Sequence, residues 1–204
     1  MIVTNIEPVT KVKSKVFIDE QLAFALYKGE LSRYHLKVGN EVSQEIYQEI
    51  TEEVLVKRAK LRAMNILKSM DKTEHELRTK LCQNFYPQEV VDIAIDYVQS
   101  YHYIDDRRYV KSYIDWKKKS KSRRQIENEL LKKGIAKELI AEYYEDEEVD
   151  EEIFLVKKLA QKKCKDLENI TKEERQKLYQ FLMRKGFRCS DINRVLKGNE
   201  EFYD

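Results

Sequence analysis

Between residues 11 and about 36, apolar side chains recur at even spacing: Val12, Val16 and Ile18, then Leu22, Phe24 and Leu26. That period of two is the signature of half-buried strands. Asp19-Glu20 and Lys28-Gly29 stand where turns would join three short strands, so a small antiparallel sheet is expected here. So few strands need cover from elsewhere in the chain. After Gly39-Asn40 the period changes. Ile46, Ile50, Leu55 and Ala59, then Ala63, Ile66, Leu67 and Met70, fall at helical spacings with charges between them. The spacing predicts one long or interrupted helix from about 43 to 70.

Beyond it the pattern repeats itself. With Leu81, Leu130 and Leu182 superposed, four residues earlier stand Leu77, Ile126 and Leu178, and five later stand Tyr86, Ile135 and Phe187. Ten later come Val91, Ile140 and Ile192, followed by the pairs Ala94-Ile95, Tyr143-Tyr144 and Val195-Leu196. An apolar set of this form fits two helices joined by a tight corner. The repeat advances by about 50 residues each time, in the range of tandem-repeat architectures.

The corners carry matching chemistry. Gly134 and Gly186 follow Lys-rich helix ends, where a left-handed glycine can close off the last carbonyls. In the first repeat Phe85 takes the glycine's place and Pro87 opens the next helix. Capping boxes are expected at Thr73 with Glu76, Ser122 with Gln125, and Thr171 with Glu174. The third box lies farther ahead of its leucines than the other two, which implies about one extra turn. Each pair of helices is preceded by an amphipathic one: Ala59 to Met70, then Tyr109, Val110, Tyr113, Ile114 and Trp116, then Ile153 to Ala160.

The chain is therefore expected to be mainly α, with tandem three-helix repeats in an elongated array behind a small N-terminal antiparallel β segment. The expected divisions are residues 1-56 for the β-rich segment leading into a helix, 57-104 and 105-148 for the first two repeats, and 149-204 for the third repeat and tail.

Composition narrows the function. Lys and Arg number 39 against 37 Asp and Glu, a net charge of +2, so any contact with nucleic acid must come from local charge. Met1 to Pro8 lacks the basic start and apolar run of a signal peptide, and nothing approaches a membrane-spanning run, so a soluble, cytoplasmic protein is expected. Cys82, Cys164 and Cys189 form no paired motif; neither disulfides nor a zinc site is suggested, and mostly buried thiols are expected. His35, His75 and His102 are isolated, and there is no Gly-rich phosphate loop or nucleophile elbow. No catalytic residue, metal or cofactor is expected.

The segment Tyr103-Ile104-Asp105-Asp106-Arg107-Arg108-Tyr109, continued by Arg123-Arg124-Gln125-Ile126-Glu127-Asn128-Glu129-Leu130-Leu131-Lys132-Lys133-Gly134-Ile135, resembles the central signature of the RecX family. Phe181-Leu182-Met183-Arg184-Lys185-Gly186-Phe187 is similar to the family's third-repeat ending, and the sheet-like N-terminal segment is similar to that of its longer members from low-GC Gram-positive bacteria. The resemblance covers about residues 57 to 197. It departs from the family at His102, where a glycine is usual, and at Ser120 and Ser122, near a second missing glycine. The resemblance implies a regulator, acting as a monomer, that binds the RecA filament on single-stranded DNA, inhibits ATP hydrolysis and strand exchange, and limits filament growth.

The densest basic run is Lys117, Lys118, Lys119, Lys121, Arg123 and Arg124. It is a candidate for DNA phosphates, single- or double-stranded, or for an acidic face of the partner; a solvated helix end is the plainer reading. Tyr97, Tyr101, Tyr103, Tyr109, Tyr113 and Trp116 lie nearby in sequence and could stack on bases, although helical spacing favours core packing. Glu145, Asp146, Glu147, Glu148, Asp150, Glu151 and Glu152 read as a charged hinge rather than a metal site or DNA mimic. An independent single-stranded nucleic-acid-binding module is the alternative to the filament regulator.

Overall fold

The expected sheet forms, but one strand earlier along the chain than the periodicity suggests. In the computed structural model, which describes residues 1–145, 150–164, 166–167 and 169–196, the strands are β1 (Val3–Pro8), β2 (Lys13–Ile18) and β3 (Gln21–Tyr27). They run antiparallel in the order β1-β2-β3. β1 escapes the period-two reading because only Val3 in it is buried. The Asp19-Glu20 turn is where it was expected, with φ of 48° and 68°, the left-handed pair that suits a two-residue hairpin. Lys28-Gly29 makes no turn between strands; it opens α1 (Lys28–Arg33), whose Glu30 carboxylate accepts the Tyr27 N–H at 2.8 Å. The helix closes on His35, at φ 51°, with the Leu36 N–H donating to the Leu31 carbonyl.

Ser43 caps α2 (Gln44–Glu49) by accepting the Ile46 N–H at 3.3 Å. The helix runs on through a π-helical stretch, Ile50–Val56, into α3 (Lys57–Ser69). The apolar spacing explains the interruption. From Ile50 to Leu55 is one residue more than the step on either side, and the wider π turn keeps Ile50, Leu55 and Ala59 buried on one face.

Residues Met1–Asp105 form one compact unit and Asp106–Asp204 another. In the first, α3, α4 (Glu74–Cys82) and α5 (Gln88–Ser100) make a three-helix repeat that shares one core with the sheet. Val16, Phe24 and Leu26 from the strands join Ile50, Leu55, Leu77, Leu81 and Ile95 from the helices.

The second unit holds two repeats with separate cores. Helices α6 (Asp106–Lys117), α7 (Arg123–Lys132) and α8 (Lys137–Glu145) enclose Val110, Ile114, Ile126, Leu130, Ile135, Ile140 and Tyr144. Helices α9 (Asp150–Lys163), α10 (Lys172–Arg184) and α11 (Cys189–Leu196) enclose Leu155, Val156, Ala160, Leu178, Leu182, Phe187, Ile192 and Leu196. Every superposed position of the repeat through its +10 residue is buried in all three copies.

All three capping boxes are closed in both directions. Thr73, Ser122 and Thr171 hydroxyls accept the N–H of Glu76, Gln125 and Glu174, whose side chains accept in return from the capping residue's own N–H. Helix α10 has 13 residues against 9 and 10 for α4 and α7, the extra turn the cap spacing implies. At the corners Gly134 and Gly186 adopt φ of 80° and 85°. Ile135 and Phe187 N–H groups reach back to the carbonyls of Leu130 and Leu182, the six-to-one bond of a glycine-terminated helix. Phe85 adopts φ 65° without being glycine, and so does His102 at φ 55°, where Tyr103 N–H donates to the Val98 carbonyl.

Candidate partner and nucleic-acid interface

The basic run wraps the corner between α6 and α7. Lys117 ends α6, and the Lys118 and Lys121 N–H groups still donate to the Ile114 and Lys117 carbonyls, so the chain leaves the helix slowly before Ser122 starts α7. Cations suit the α6 end of this corner, where the helix dipole is negative. They do not suit the start of α7, whose first turn holds Arg123 and Arg124 and no acid. The missing charge comes from another helix: the Glu152 carboxylate of α9 accepts the Arg123 N–H at 3.1 Å. Burial raises the Glu152 pKa above the ordinary glutamate value, against the pull of this hydrogen bond.

The six cations fall into two classes. Lys118 pairs with Asp115 at 3.4 Å, Lys121 with Glu129, and Arg123 Nε with Glu127 at 2.9 Å. Arg123 also lies over the Tyr144 ring, 3.9 Å from its centroid. Glu129 is held below the usual glutamate range by Lys121 and by the Tyr113 hydroxyl, which donates to it at 2.7 Å. Burial and that carboxylate push the Tyr113 phenol up to about 12. Asp115 is likewise lowered, by the Tyr143 hydroxyl first and then by Lys118. Lys117, Lys119 and Arg124 have no carboxylate partner among the described residues. Lys117 Nζ sits 3.4 Å from the centroid of the Trp116 ring, and Lys119 and Arg124 are exposed. The carboxylate spacings Asp115 to Lys118 and Arg123 to Glu127 are those of helix neighbours and were readable in the sequence; Glu129 and Glu152 were not, because the chain must fold to bring them in.

The aromatic residues divide: Tyr97, Tyr109 and Tyr113 pack against the edges of the cores, and Trp116, Tyr101 and Tyr103 are surface groups. Trp116 is 68% exposed, Tyr101 58% and Tyr103 48%, while Tyr97, Tyr109 and Tyr113 are half-buried. Periodicity misleads because these rings flank the apolar stripe that Val98, Val110 and Ile114 fill. In the first unit Tyr97 meets Tyr101 at a tilt, 5.0 Å between centroids, and Tyr101 stacks on Tyr103 at 5.8 Å. In the second, Tyr109 stacks on Tyr113 at 5.9 Å, and Trp116 meets Tyr113 edge-on. The cysteines also depart from expectation. Cys82 and Cys189 are exposed and Cys164 half-buried, all three as free thiols. Of the acidic run, Asp146, Glu147 and Glu148 and the side chains of Glu145, Asp150 and Glu151 lie outside the described residues, and only Glu152 is placed. Among the described residues no helix is long and apolar enough to cross a membrane.

Three-helix repeats in tandem, with cations and rings set on the outside of a corner, define a helical-repeat protein. Comparison with known proteins gives the family. Models of the RecX first, second and third three-helix domains match residues 59–97, 105–143 and 150–196 in that order. The regulatory protein RecX of Clostridium botulinum (strain Alaska E43 / Type E3) is 32% identical over 201 residues, covering 95% of this chain and 94% of that one. That of Clostridium beijerinckii is 31% identical over 196 residues, covering 95% and 92%. A crystal structure of regulatory protein RecX shares the fold with a TM-score of 0.65 at 24% identity, over 97% of this chain and 99% of the other. RecX from Lactobacillus salivarius gives 0.65 at 20% identity, over 70% and 95%. The chain belongs to the RecX family of regulatory proteins.

Proposed function

We propose that this protein binds the RecA filament assembled on single-stranded DNA and restrains it, lowering ATP hydrolysis, strand exchange and filament growth. The observation that carries the reading is the ordered set of three three-helix repeats, each matched by its own RecX domain model. A binder with several repeats can touch more than one protomer of a filament, and it shifts the filament's state to the extent that it binds the two states unequally. In this reading the protein acts as a cytoplasmic monomer, the repeats divide at residues 57-104, 105-148 and 149-204, and Lys117, Lys118, Lys119, Lys121, Arg123 and Arg124 face the partner. Lys117, Lys119 and Arg124 contribute most, because their charge is not spent on an internal carboxylate.

The test is RecA's DNA-dependent ATP hydrolysis with the protein titrated in at substoichiometric amounts. Inhibition well below one copy per RecA protomer supports the reading. No inhibition, together with tight binding to bare DNA, favours the second reading, an independent single-stranded nucleic-acid-binding module. What favours that alternative is the exposed Trp116 ring with Lys117 against its face, a pairing suited to an unpaired base beside a phosphate.

A further inference from the structure

A second group of cations lies in the Met1–Asp105 unit, and no sequence pattern announces it. Lys13 and Lys15 project from the same side of β2, two residues apart. Arg58 and Arg62 stand one turn apart on α3. The fold brings these four to the corner Asn84-Phe85-Tyr86, where the first repeat meets the sheet. Lys13 Nζ donates to the Asn84 carbonyl at 3.0 Å and lies 5.8 Å from the centroid of the Tyr86 ring. Lys15 Nζ is 4.5 Å from the centroid of the Phe85 ring. The Arg58 guanidinium lies 4.7 Å from that of Tyr27.

The positive charge here is not balanced locally. Two acids stand near the four cations: Glu30 is already occupied, one oxygen pairing with Arg58 and the other accepting the Tyr27 N–H, and Glu7, opposite Lys15 on β1, accepts the Asn5 side-chain amide. Lys13, Lys15 and Arg62 have no carboxylate partner among the described residues, and the second terminal nitrogen of Arg58 is buried without a hydrogen-bond partner. Burial lowers the Lys13 pKa, and repulsion from Arg58 and Arg62 lowers it further, against the attraction of Glu30. Nor do the lysines guard a sheet edge, the usual reason for lysine on a strand: β2 is the central strand of the three.

We propose that this corner is a phosphate-binding site that holds the backbone of single-stranded nucleic acid, with the Phe85 and Tyr27 rings offering faces to its bases. Cations interleaved with partly exposed rings are what an unpaired strand requires, with one element for each phosphate and one for each base. An acidic peptide would satisfy the charge but would leave the rings without a role. The site lies in the sheet-bearing unit, apart from the Lys117 to Arg124 run, and takes bare nucleic acid, so its failure would leave the filament reading standing.

The test uses the full chain and a labelled oligothymidylate of about 15 nucleotides, read by fluorescence anisotropy over a range of salt. Lys15 and Arg62 are the residues to change, since Lys13 and Arg58 also hold the fold together through Asn84 and Glu30. Lys15→Gln with Arg62→Gln should weaken binding about tenfold at low salt and make the slope of log K against log salt shallower by about 1.4, the loss of two single-strand phosphate contacts. Lys15→Arg with Arg62→Lys should keep both. Unchanged affinity and slope in the Gln variant, with circular dichroism showing the fold intact, would overturn the proposal. So would an effect of the Gln changes on binding to polyglutamate of equal length with none on the oligothymidylate.

Discussion

The first repeat and the second obey the same apolar pattern yet are stabilised differently. Leu81 and Leu130 are equivalent, and both are fully buried. Leu81, however, belongs to a core that continues into the sheet, whereas Leu130 belongs to a core made by its own three helices. The corners differ in the same sense. Gly134 takes its left-handed conformation without strain, while Phe85 takes it at a cost of about 1–2 kcal/mol. Tyr86, one residue on, is buried in the shared core and holds that corner in place. A repeat that leans on a neighbouring element can tolerate a strained corner; one that stands on its own core needs the glycine.

The comparison can be broken most forcefully in the cores. Leu130→Ala should cost about 2–5 kcal/mol and unfold its repeat ahead of the Met1–Asp105 unit. Urea melts followed by Trp116, which sits in that repeat, should show its transition moving to lower denaturant than the bulk circular dichroism signal. Leu81→Ala, in the larger core, should move the bulk transition and leave the Trp116 transition in place. Coincident transitions in both variants would mean that the cores are not separate.

Smaller effects are expected at the corners. Gly134→Ala carries at least the left-handed conformational penalty, about 1–2 kcal/mol. At Gly186 a Cβ would come within 2.9 Å of the Ser122 hydroxyl, so Gly186→Ala should cost more than that penalty alone, measured by thermal or urea denaturation. A cost at Gly186 no larger than about 1–2 kcal/mol would deny that close approach.

Next comes Ser122→Ala, which removes the α7 cap and the 2.6 Å hydrogen bond from Ser122 to the Lys185 carbonyl. A loss of about 1–2 kcal/mol is expected.

The smallest effect is a pH dependence at Glu152. Its folded-state pKa is raised above 4.5, so between that ordinary value and the raised one the folded protein holds the proton more tightly than the unfolded chain does. Its contribution to stability is therefore largest at low pH and is lost as pH rises through this window. Glu152→Gln keeps an acceptor for the Arg123 N–H but cannot titrate. The difference in melting temperature between wild type and variant should change in favour of the variant from pH 4 to 7; a constant difference would remove Glu152 from the account.

What could be read from the sequence was whatever depends on near neighbours in the chain. Capping boxes, corner glycines and the apolar stripes of the helices are written within a few residues each, and the repeat wrote the boxes and stripes three times and the glycine twice. The first strand was missed because β1 buries little besides Val3, so it leaves no alternation to find. The exposure of Trp116, Tyr101 and Tyr103 was missed because a ring beside an apolar stripe and a ring within it have nearly the same spacing. The basic run was visible, but its partial neutralisation by Glu129 and Glu152 depends on contacts made in the folded unit. The cations around Phe85 come from β2 and α3, and only the fold collects them.

The Ser122 hydroxyl is shared between two tasks that arise at different moments in the life of the chain. Its bond with Gln125 is available as soon as α7 leaves the ribosome, but the Lys185 carbonyl is 63 residues downstream. At a synthesis rate of about 5 to 20 residues per second that is a wait of roughly 3 to 13 seconds. The middle repeat must hold its helices with a local cap alone for that interval, and the last repeat, once made, docks onto a start site that has already folded.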